Sequence, residues 1–187
     1  MLMIKAFAVF LLLFVCGATI VPGQDEKKEE AKEQSSPPLR TVSELKKEAR
    51  LRMAKDAIFY SEQERTEMEK LYQSWSVKKG KEKHAIAITM QRRFPKSNRT
   101  GCAMLYLAQD NARQKRVDLL KQVIQNYGDC WYGNGVQVGA MARYLLFKTL
   151  METGKQEEAE KYREELKTSC PDAIDHTGKR LSELLND

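Results

Sequence analysis

The chain has few of the residues on which most metal and redox sites depend. Among its 187 residues there are two histidines and four cysteines. The cysteines form no C-x-x-C pair, and neither His84 nor His176 has neighbours that make a convincing metal site; the nearest cluster, Asp172 to His176, is better interpreted as a helix start. A zinc site and a thioredoxin-type redox motif are therefore not predicted. No G-x-S-x-G stretch occurs either, so we predict no catalytic residue, no metal and no cofactor.

Two structural patterns are also missing. No segment alternates apolar and polar residues for long enough to indicate a strand, so we predict no sheet. The glycine-rich stretch at 129–139 has no G-x-G-x-x-G and no following Lys-Ser or Lys-Thr. As a phosphate-binding loop it is therefore weak, and a turn is the simpler interpretation.

The only long apolar run lies at the N-terminus. Residues 6–21 hold sixteen residues without a charge, preceded by Lys5. This length is typical of a signal peptide and short for a membrane span. We expect residues 1–23 to direct export as a cleaved signal peptide. An uncleaved anchor and a lipoprotein lipidated at Cys16 are the alternatives.

A polar segment separates this run from the rest of the chain. Residues 24–40, QDEKKEEAKEQSSPPLR, contain no apolar residue larger than alanine before Leu39. Such a segment cannot bury enough surface to offset its chain entropy, so we predict a disordered linker. The folded domain is predicted to span residues 41–187.

Helical signals begin at Thr41. Thr41 with Glu44, and Ser61 with Glu64, match the capping-box pattern of a helix start. Apolar residues then recur at helical spacing, and Gly or Pro follows most of the segments. The predicted helices span residues 41–59, 62–77, 82–93, 99–109, 113–127, 134–152, 156–169 and 175–186.

The net charge of +6 is most concentrated in one stretch. Residues 78–99 contain eight Lys or Arg and a single Glu. They could meet an anionic membrane surface or an acidic partner, or form a solvated helix face. Export argues against nucleic acid. The candidate partner-binding residues are Arg92, Arg93, Lys96 and Arg99, with Trp131 and Tyr132 in the glycine-rich stretch, because Trp and Tyr are favoured interface anchors.

Three helix ends are alike, and their spacing indicates a repeat. They are Phe94-Pro95, Tyr127-Gly128 and Cys170-Pro171, separated by 33 and then 43 residues. The second gap is longer by about the length of the stretch at 129–139. The repeat pairs helix 62–77 with 82–93, 99–109 with 113–127, and 134–152 with 156–169.

The segment GKQEEA at 154–159, followed by Pro171, resembles the G-x-x-x-E-A segment and closing proline of a tetratricopeptide repeat. Arg143, Phe147 and Leu150 stand where that family has Trp, Gly and Tyr. Residues 94–109, FPKSNRTGCAMLYLAQ, resemble the helix joint of the Tol-Pal coordinator and outer-membrane assembly lipoprotein families. The resemblance implies an all-α fold of about three stacked antiparallel helical hairpins with a C-terminal capping helix.

In such hairpins the start of one helix lies beside the end of its partner. Cys102 and Cys130 could then form a disulfide, with Cys130–Cys170 as the rival pairing and three reduced thiols as the third alternative.

The resemblance also implies a function. We expect a non-enzymatic adaptor of the periplasm or cell envelope that binds a protein or peptide partner. The alternatives are a basic module that binds lipid or another polyanion, and an accessory subunit of an envelope enzyme.

Overall fold

The structure is a computed structural model that describes residues 38–185. The predicted signal peptide or anchor at 1–23, and the linker up to residue 37, lie outside the described residues. None of the described helices is both long enough and apolar enough to cross a membrane.

The described residues are helical, which confirms the predicted all-α class. Their only β features are two isolated bridges, Trp131 with Gln137 and Ile174 with Arg180. A 3-10 turn follows at Glu183–Leu185. The helices are α1 (Val42–Ala54), α2 (Asp56–Phe59), α3 (Glu62–Val77), α4 (Gly80–Arg93), α5 (Asn98–Gln109), α6 (Arg113–Tyr127), α7 (Val138–Glu152) and α8 (Gln156–Ser169).

Both predicted capping boxes are confirmed. The backbone N–H of Thr41 donates to Glu44 Oε2 at 2.7 Å, and that of Ser61 donates to Glu64 Oε2 at 2.8 Å. Each hydroxyl oxygen accepts the return bond from its glutamate N–H at 3.3 Å. These bonds satisfy N–H groups that a helix start leaves unpaired, and so they set where α1 and α3 begin.

Helices α3 to α8 pack in succession. Each helix contacts the next one along the chain, and the first helices of the three predicted pairs also contact one another, α3 with α5 and α5 with α7. We call α3, α5 and α7 the first-helix layer. Large apolar side chains fill the space between the packed helices, and burial of each one stabilises the fold by about 1.5–3 kcal/mol. Fully buried examples are Leu105, Leu120, Leu146, Leu150 and Leu166.

Two turns of the same construction follow α6 and α8. In the first, Tyr132 N donates to Val136 O at 2.9 Å and Val138 N to Cys130 O at 2.8 Å. The second repeats this pattern 43 residues later. Its bonds join Asp175 N to Lys179 O and Leu181 N to Ala173 O, both at 2.9 Å. The 43-residue spacing seen in the sequence is therefore a repeat of structure.

These turns correct two predicted helices. The helix predicted at 134–152 begins at Val138, because residues 130–138 close a hydrogen-bonded turn first. The helix predicted at 175–186 is replaced up to residue 185 by the second turn and the 3-10 turn. The predicted helix 41–59 is divided at Lys55 into α1 and α2.

Helix α1 lies across the turns that join successive pairs. Its inner face buries Leu45 and Ala49 completely. Four contacts tie residues 40–56 to the segments that follow α6 and α8 and to the start of α5. They are the Arg40–Asp172 ion pair, the approach of Leu45 to Gly135, the Arg52–Asp129 ion pair at 3.7 Å, and the bond from Asn98 N to Asp56 at 2.9 Å.

Candidate functional site

Trp131, predicted as a partner-binding anchor, lies inside the fold. It is 4% exposed. The Asn98 side chain holds its backbone from both sides, since Asn98 Nδ2 donates to Trp131 O and Trp131 N donates to Asn98 Oδ1, both at 2.7 Å. The Arg40 guanidinium lies 5.8 Å from the ring centroid. This burial argues against a partner contact by the indole.

Tyr132 is half-buried beside α5. Its hydroxyl donates to the carbonyl oxygen of Cys102 at 2.9 Å, and its ring meets that of His176 edge-on with centroids 4.9 Å apart. Burial raises the pKa of Tyr132 well above its ordinary value, and the nearby Cys102 and Tyr72 raise it further. Tyr132 therefore stays a neutral hydrogen-bond donor, with one ring edge toward the second turn.

The four predicted basic residues have different surroundings. Arg93 pairs with Glu67, and Arg99 pairs with Glu69 at 2.9 Å. Lys96 is exposed, with its ammonium 5.1 Å from the centroid of the Phe59 ring. Arg92 is exposed on the last turn of α4. The stretch is therefore partly neutralised by acidic residues of α3 and does not form one cationic patch with Trp131.

A cluster of aromatic side chains lies across α3, α5 and the first turn. We call Tyr72, Trp75, Tyr106 and Tyr132 the aromatic row. Tyr72 stacks on Trp75 with centroids 5.0 Å apart, and Trp75 meets Tyr106 edge-on at 5.4 Å. Trp75 is 7% exposed, whereas the three tyrosines are half-buried. The row therefore presents tyrosine rings to solvent over a buried indole.

Cations lie over three of the four rings of this row. The Arg99 guanidinium is 4.4 Å from the Tyr72 ring centroid. The Lys83 ammonium is 4.3 Å from the Trp75 ring and 3.9 Å from the Tyr106 ring. Burial, as the largest cause, raises the pKa of Tyr72 to about 12. At neutral pH the row thus combines the neutral hydroxyl group of Tyr72 with two positive charges held on the ring faces.

Sequence reasoning missed most of this row. Tyr72 and Trp75 fit the apolar stripe that helical spacing predicts for α3, but of the two only Trp75 is buried there. The indole N–H of Trp75 makes no hydrogen bond within residues 38–185. The apolar stripe of α3 contains a tyrosine and a tryptophan, which favour positions that are apolar at one end and solvated at the other. Their presence in the stripe is the sequence feature that indicates a partly exposed site.

The three cysteines of the described residues carry free thiols in the structure. Cys102 Sγ lies 3.5 Å from the carbonyl oxygen of Trp131. Cys130 packs against Gly101, where an added Cβ would lie 2.5 Å from Cys130 Sγ. Burial raises the pKa of Cys130 to about 12 and that of Cys102 well above its ordinary value. These are poor nucleophiles. The Cys102–Cys130 disulfide stays a prediction.

A cleft of about 280 Å³ opens between α2, the start of α5 and the end of α6. Asp56 lines it, is 8% exposed, and accepts two bonds from the backbone N–H of Asn98 at 2.9 and 3.2 Å. Burial raises the pKa of this carboxyl, against the lowering effect of the bond from Asn98. Because Asp56 faces the positive end of α5, we interpret it as a tie between α2 and α5.

Neither histidine belongs to a group of side chains that could bind a metal ion within the described residues. His84 Nε2 lies 2.5 Å from Asp110 Oδ2, and His176 Nδ1 lies 3.2 Å from Asn134 Nδ2. Within residues 38–185, no group of three or more His, Cys, Asp and Glu residues has the geometry to hold a metal ion.

No family model, characterised protein or solved structure matches the chain. The tetratricopeptide and envelope-protein resemblances therefore stay predictions. The aromatic row is the part of the described surface that best fits a binding site.

Proposed function

We propose that the domain is a non-enzymatic adaptor that binds a protein or peptide partner through the aromatic row. The observation that supports this most directly is the set of partly exposed tyrosine rings on the first-helix layer, bracketed by Arg99 and Lys83. Tyrosine gives large contact area at low entropic cost and keeps a hydroxyl for hydrogen bonding. Aromatic residues and arginine are enriched at protein interfaces.

The charges on the row favour an acidic partner segment. Arg99 shares its charge with Glu69, but no carboxylate among the described residues forms an ion pair with Lys83. A partner that places apolar side chains on the tyrosine rings and a carboxylate near Lys83 would satisfy both features. We therefore propose that the partner segment is an apolar peptide with acidic residues.

The wider assignment rests on analogy. Three consecutive helix pairs, with the first helices in one layer, support a tetratricopeptide-like stack, and the turn at 173–181 has the form of a start of one more unit. In that fold the first helices form the binding surface. The apolar run at 6–21 supports export to the periplasm or cell envelope.

The test compares partner recovery between two matched variants of the full chain. Tyr72→Ala with Tyr106→Ala removes two rings from the row, and Ile88→Ala removes an apolar side chain that is 49% exposed on α4, outside the row. Each tagged chain is purified from its native cell, and the co-purifying proteins are quantified by mass spectrometry. Circular dichroism confirms that both variants fold.

We expect at least one protein that the wild type and Ile88→Ala recover equally and that the double variant loses by about tenfold or more. That ratio corresponds to about 1.4 kcal/mol, which is ordinary for truncating interface aromatic residues. Equal recovery by all three chains would reject the aromatic row as the binding site.

A further inference from the structure

Helix α1 and the short α2 have an outer face that the rest of the fold leaves uncovered. The inner face of α1 is buried through Leu45 and Ala49, so α1 is held with one defined side outward. Lys55 joins the two helices with helical backbone angles, φ −64° and ψ −18°, which keeps their outward sides nearly in line. We call Lys46, Lys47, Arg50, Leu51, Lys55, Ile58 and Phe59 the outer face.

The outer face combines strongly exposed apolar side chains with cations. Leu51, Ile58 and Phe59 are 57%, 73% and 51% exposed. The four basic residues of the face are all exposed, and no carboxylate among the described residues forms an ion pair with any of them. Lys96 adds a further cation beside Phe59. Exposed bulky apolar residues flanked by unpaired lysine and arginine are the features of a helix that lies in a membrane interface.

The basic stretch at 78–99 is a weaker candidate for the same role. Lys78 pairs with Glu82, Arg93 with Glu67 and Arg99 with Glu69. Its exposed apolar residue is Ile88, at 49%. Charge and apolar exposure therefore coincide on the outer face and are separated in the stretch at 78–99.

The position of the outer face along the chain also favours a membrane as its partner. Only residues 22–41 separate the apolar run at 6–21 from the start of α1. Twenty extended residues span at most about 70 Å. Where the apolar run is kept as an anchor, which is the alternative to cleavage, this length limits how far the outer face can lie from the membrane, and tethering raises its effective concentration there.

From these observations we propose that the outer face of α1 and α2 binds the headgroup region of an anionic lipid bilayer. Leu51, Ile58 and Phe59 insert among the upper acyl chains, while the lysines and Arg50 contact anionic headgroups. Each such cation strengthens the partition to an anionic surface by about fivefold. The aromatic row, on α3, α5 and the first turn, is separate from this face and stays free for a protein partner.

The test uses tryptophan as a depth probe in the full chain. Both natural tryptophans are buried, Trp75 at 7% and Trp131 at 4% exposure, so an added exposed tryptophan reports its own contacts. Ile58→Trp places the probe on the outer face. Met151→Trp is the control, since Met151 is 42% exposed near the C-terminal end of α7, more than three helical turns beyond the turn that Leu45 approaches. Each variant is mixed with vesicles of brominated phosphatidylglycerol or brominated phosphatidylcholine.

We expect brominated phosphatidylglycerol to reduce the emission of the Ile58→Trp probe by about twofold, because a ring buried 5–10 Å into the interface contacts the bromine atoms. Met151→Trp should keep its emission. Quenching should be abolished in a variant that combines Ile58→Trp with Lys46→Glu, Lys47→Glu and Arg50→Glu. Salt at about 0.5 M should also abolish the quenching of Ile58→Trp alone. Thermal unfolding checks that each variant folds.

Three results would overturn the proposal. One is an unquenched Ile58→Trp probe with phosphatidylglycerol, including the case in which the chain forms a dimer that covers this face. Another is equal quenching of the two probes, which would mean nonspecific adsorption. The third is equal quenching by the anionic and zwitterionic lipids, which would remove the role of the cations.

Discussion

At the scale of single residues, the turn at 130–138 depends on a backbone conformation that glycine adopts readily. Gly135 has φ of 94°, and a Cβ built there would lie 3.2 Å from Leu45 Cβ and from Lys46 N. Gly178, its counterpart 43 residues later, has φ of 90° but no atom within 4 Å of the added Cβ. The two glycines therefore separate the cost of backbone strain from the cost of crowding against α1.

We expect Gly178→Ala to lower the free energy of unfolding by about 1 kcal/mol, from backbone strain alone. Gly135→Ala should cost about 2–3 kcal/mol, because strain and crowding add. Gly133→Ala is the control; Gly133 has open space around it, and the substitution should change stability by no more than about 0.5 kcal/mol. Urea unfolding measures all three. Equal losses for Gly135→Ala and Gly178→Ala would show that α1 does not crowd this turn.

Asp56 gives a prediction about pH. Burial raises the pKa of its carboxyl above the ordinary value of 3.8, so ionisation costs more in the folded than in the unfolded state. The wild type therefore loses stability as pH rises through the raised pKa and is free of this cost below pH 3.8. Asp56→Asn keeps an acceptor for the Asn98 N–H but does not titrate.

The difference in free energy of unfolding, Asp56→Asn minus wild type, should therefore become more positive between pH 4 and pH 7. Urea unfolding at both pH values measures it. A difference that stays constant or falls would show that the folded state does not penalise the charged carboxylate.

Residue roles were the least predictable part of the sequence. The glycines and the tyrosine beside Trp131 predict an exposed interface anchor. In the structure Trp131 is buried, and the side chain of Asn98, 33 positions earlier, forms two hydrogen bonds with its backbone. Tyr72 fits the apolar stripe of α3, yet it is only partly buried, with Arg99 of α5 over its ring and Trp75 of α3 stacked against it. Both outcomes depend on contacts between distant segments, which helical periodicity does not report.

At the scale of elements, α1 offers a matched pair of leucines. Leu45 is fully buried beneath the helix, and Leu51 is 57% exposed on its outer face. Leu45→Ala should lower the free energy of unfolding by about 2–5 kcal/mol, while Leu51→Ala should change it by less than about 0.5 kcal/mol.

Hydrogen exchange of the α1 amides gives the local readout for the same pair. They should exchange faster in Leu45→Ala and at the wild-type rate in Leu51→Ala. Similar exchange rates in the two variants would contradict the assigned orientation of α1.

Helix bounds were predictable where the local sequence sets them. The predicted bounds of α3, α6 and α8 match the structure, because Ser61 caps α3, Gly128 follows α6 and Cys170-Pro171 follows α8. The errors at 134–137 and 175–185 share one physical cause. Each segment closes a turn through a glycine with positive φ and backbone bonds across it, and neither shows the alternation that predicts a hairpin.

At the scale of the whole molecule, the two proposed surfaces consist of different residues on different helices. The aromatic row lies on the first-helix layer and the first turn, and the outer face lies on α1 and α2, which are tied across the turns between pairs. An adaptor with both surfaces could lie on a membrane and still bind a partner. The two proposals are therefore independent, and loss of one binding activity should leave the other unchanged.

The central claim is that the aromatic row contacts another protein, and site-specific photocrosslinking in native cells tests it most directly. A benzophenone amino acid replaces Tyr106 in the full chain, and the same probe at Ile88 on α4 is the control. We predict a discrete crosslinked protein band from position 106 that is missing from position 88. No band from position 106, or the same bands from both positions, would contradict the account.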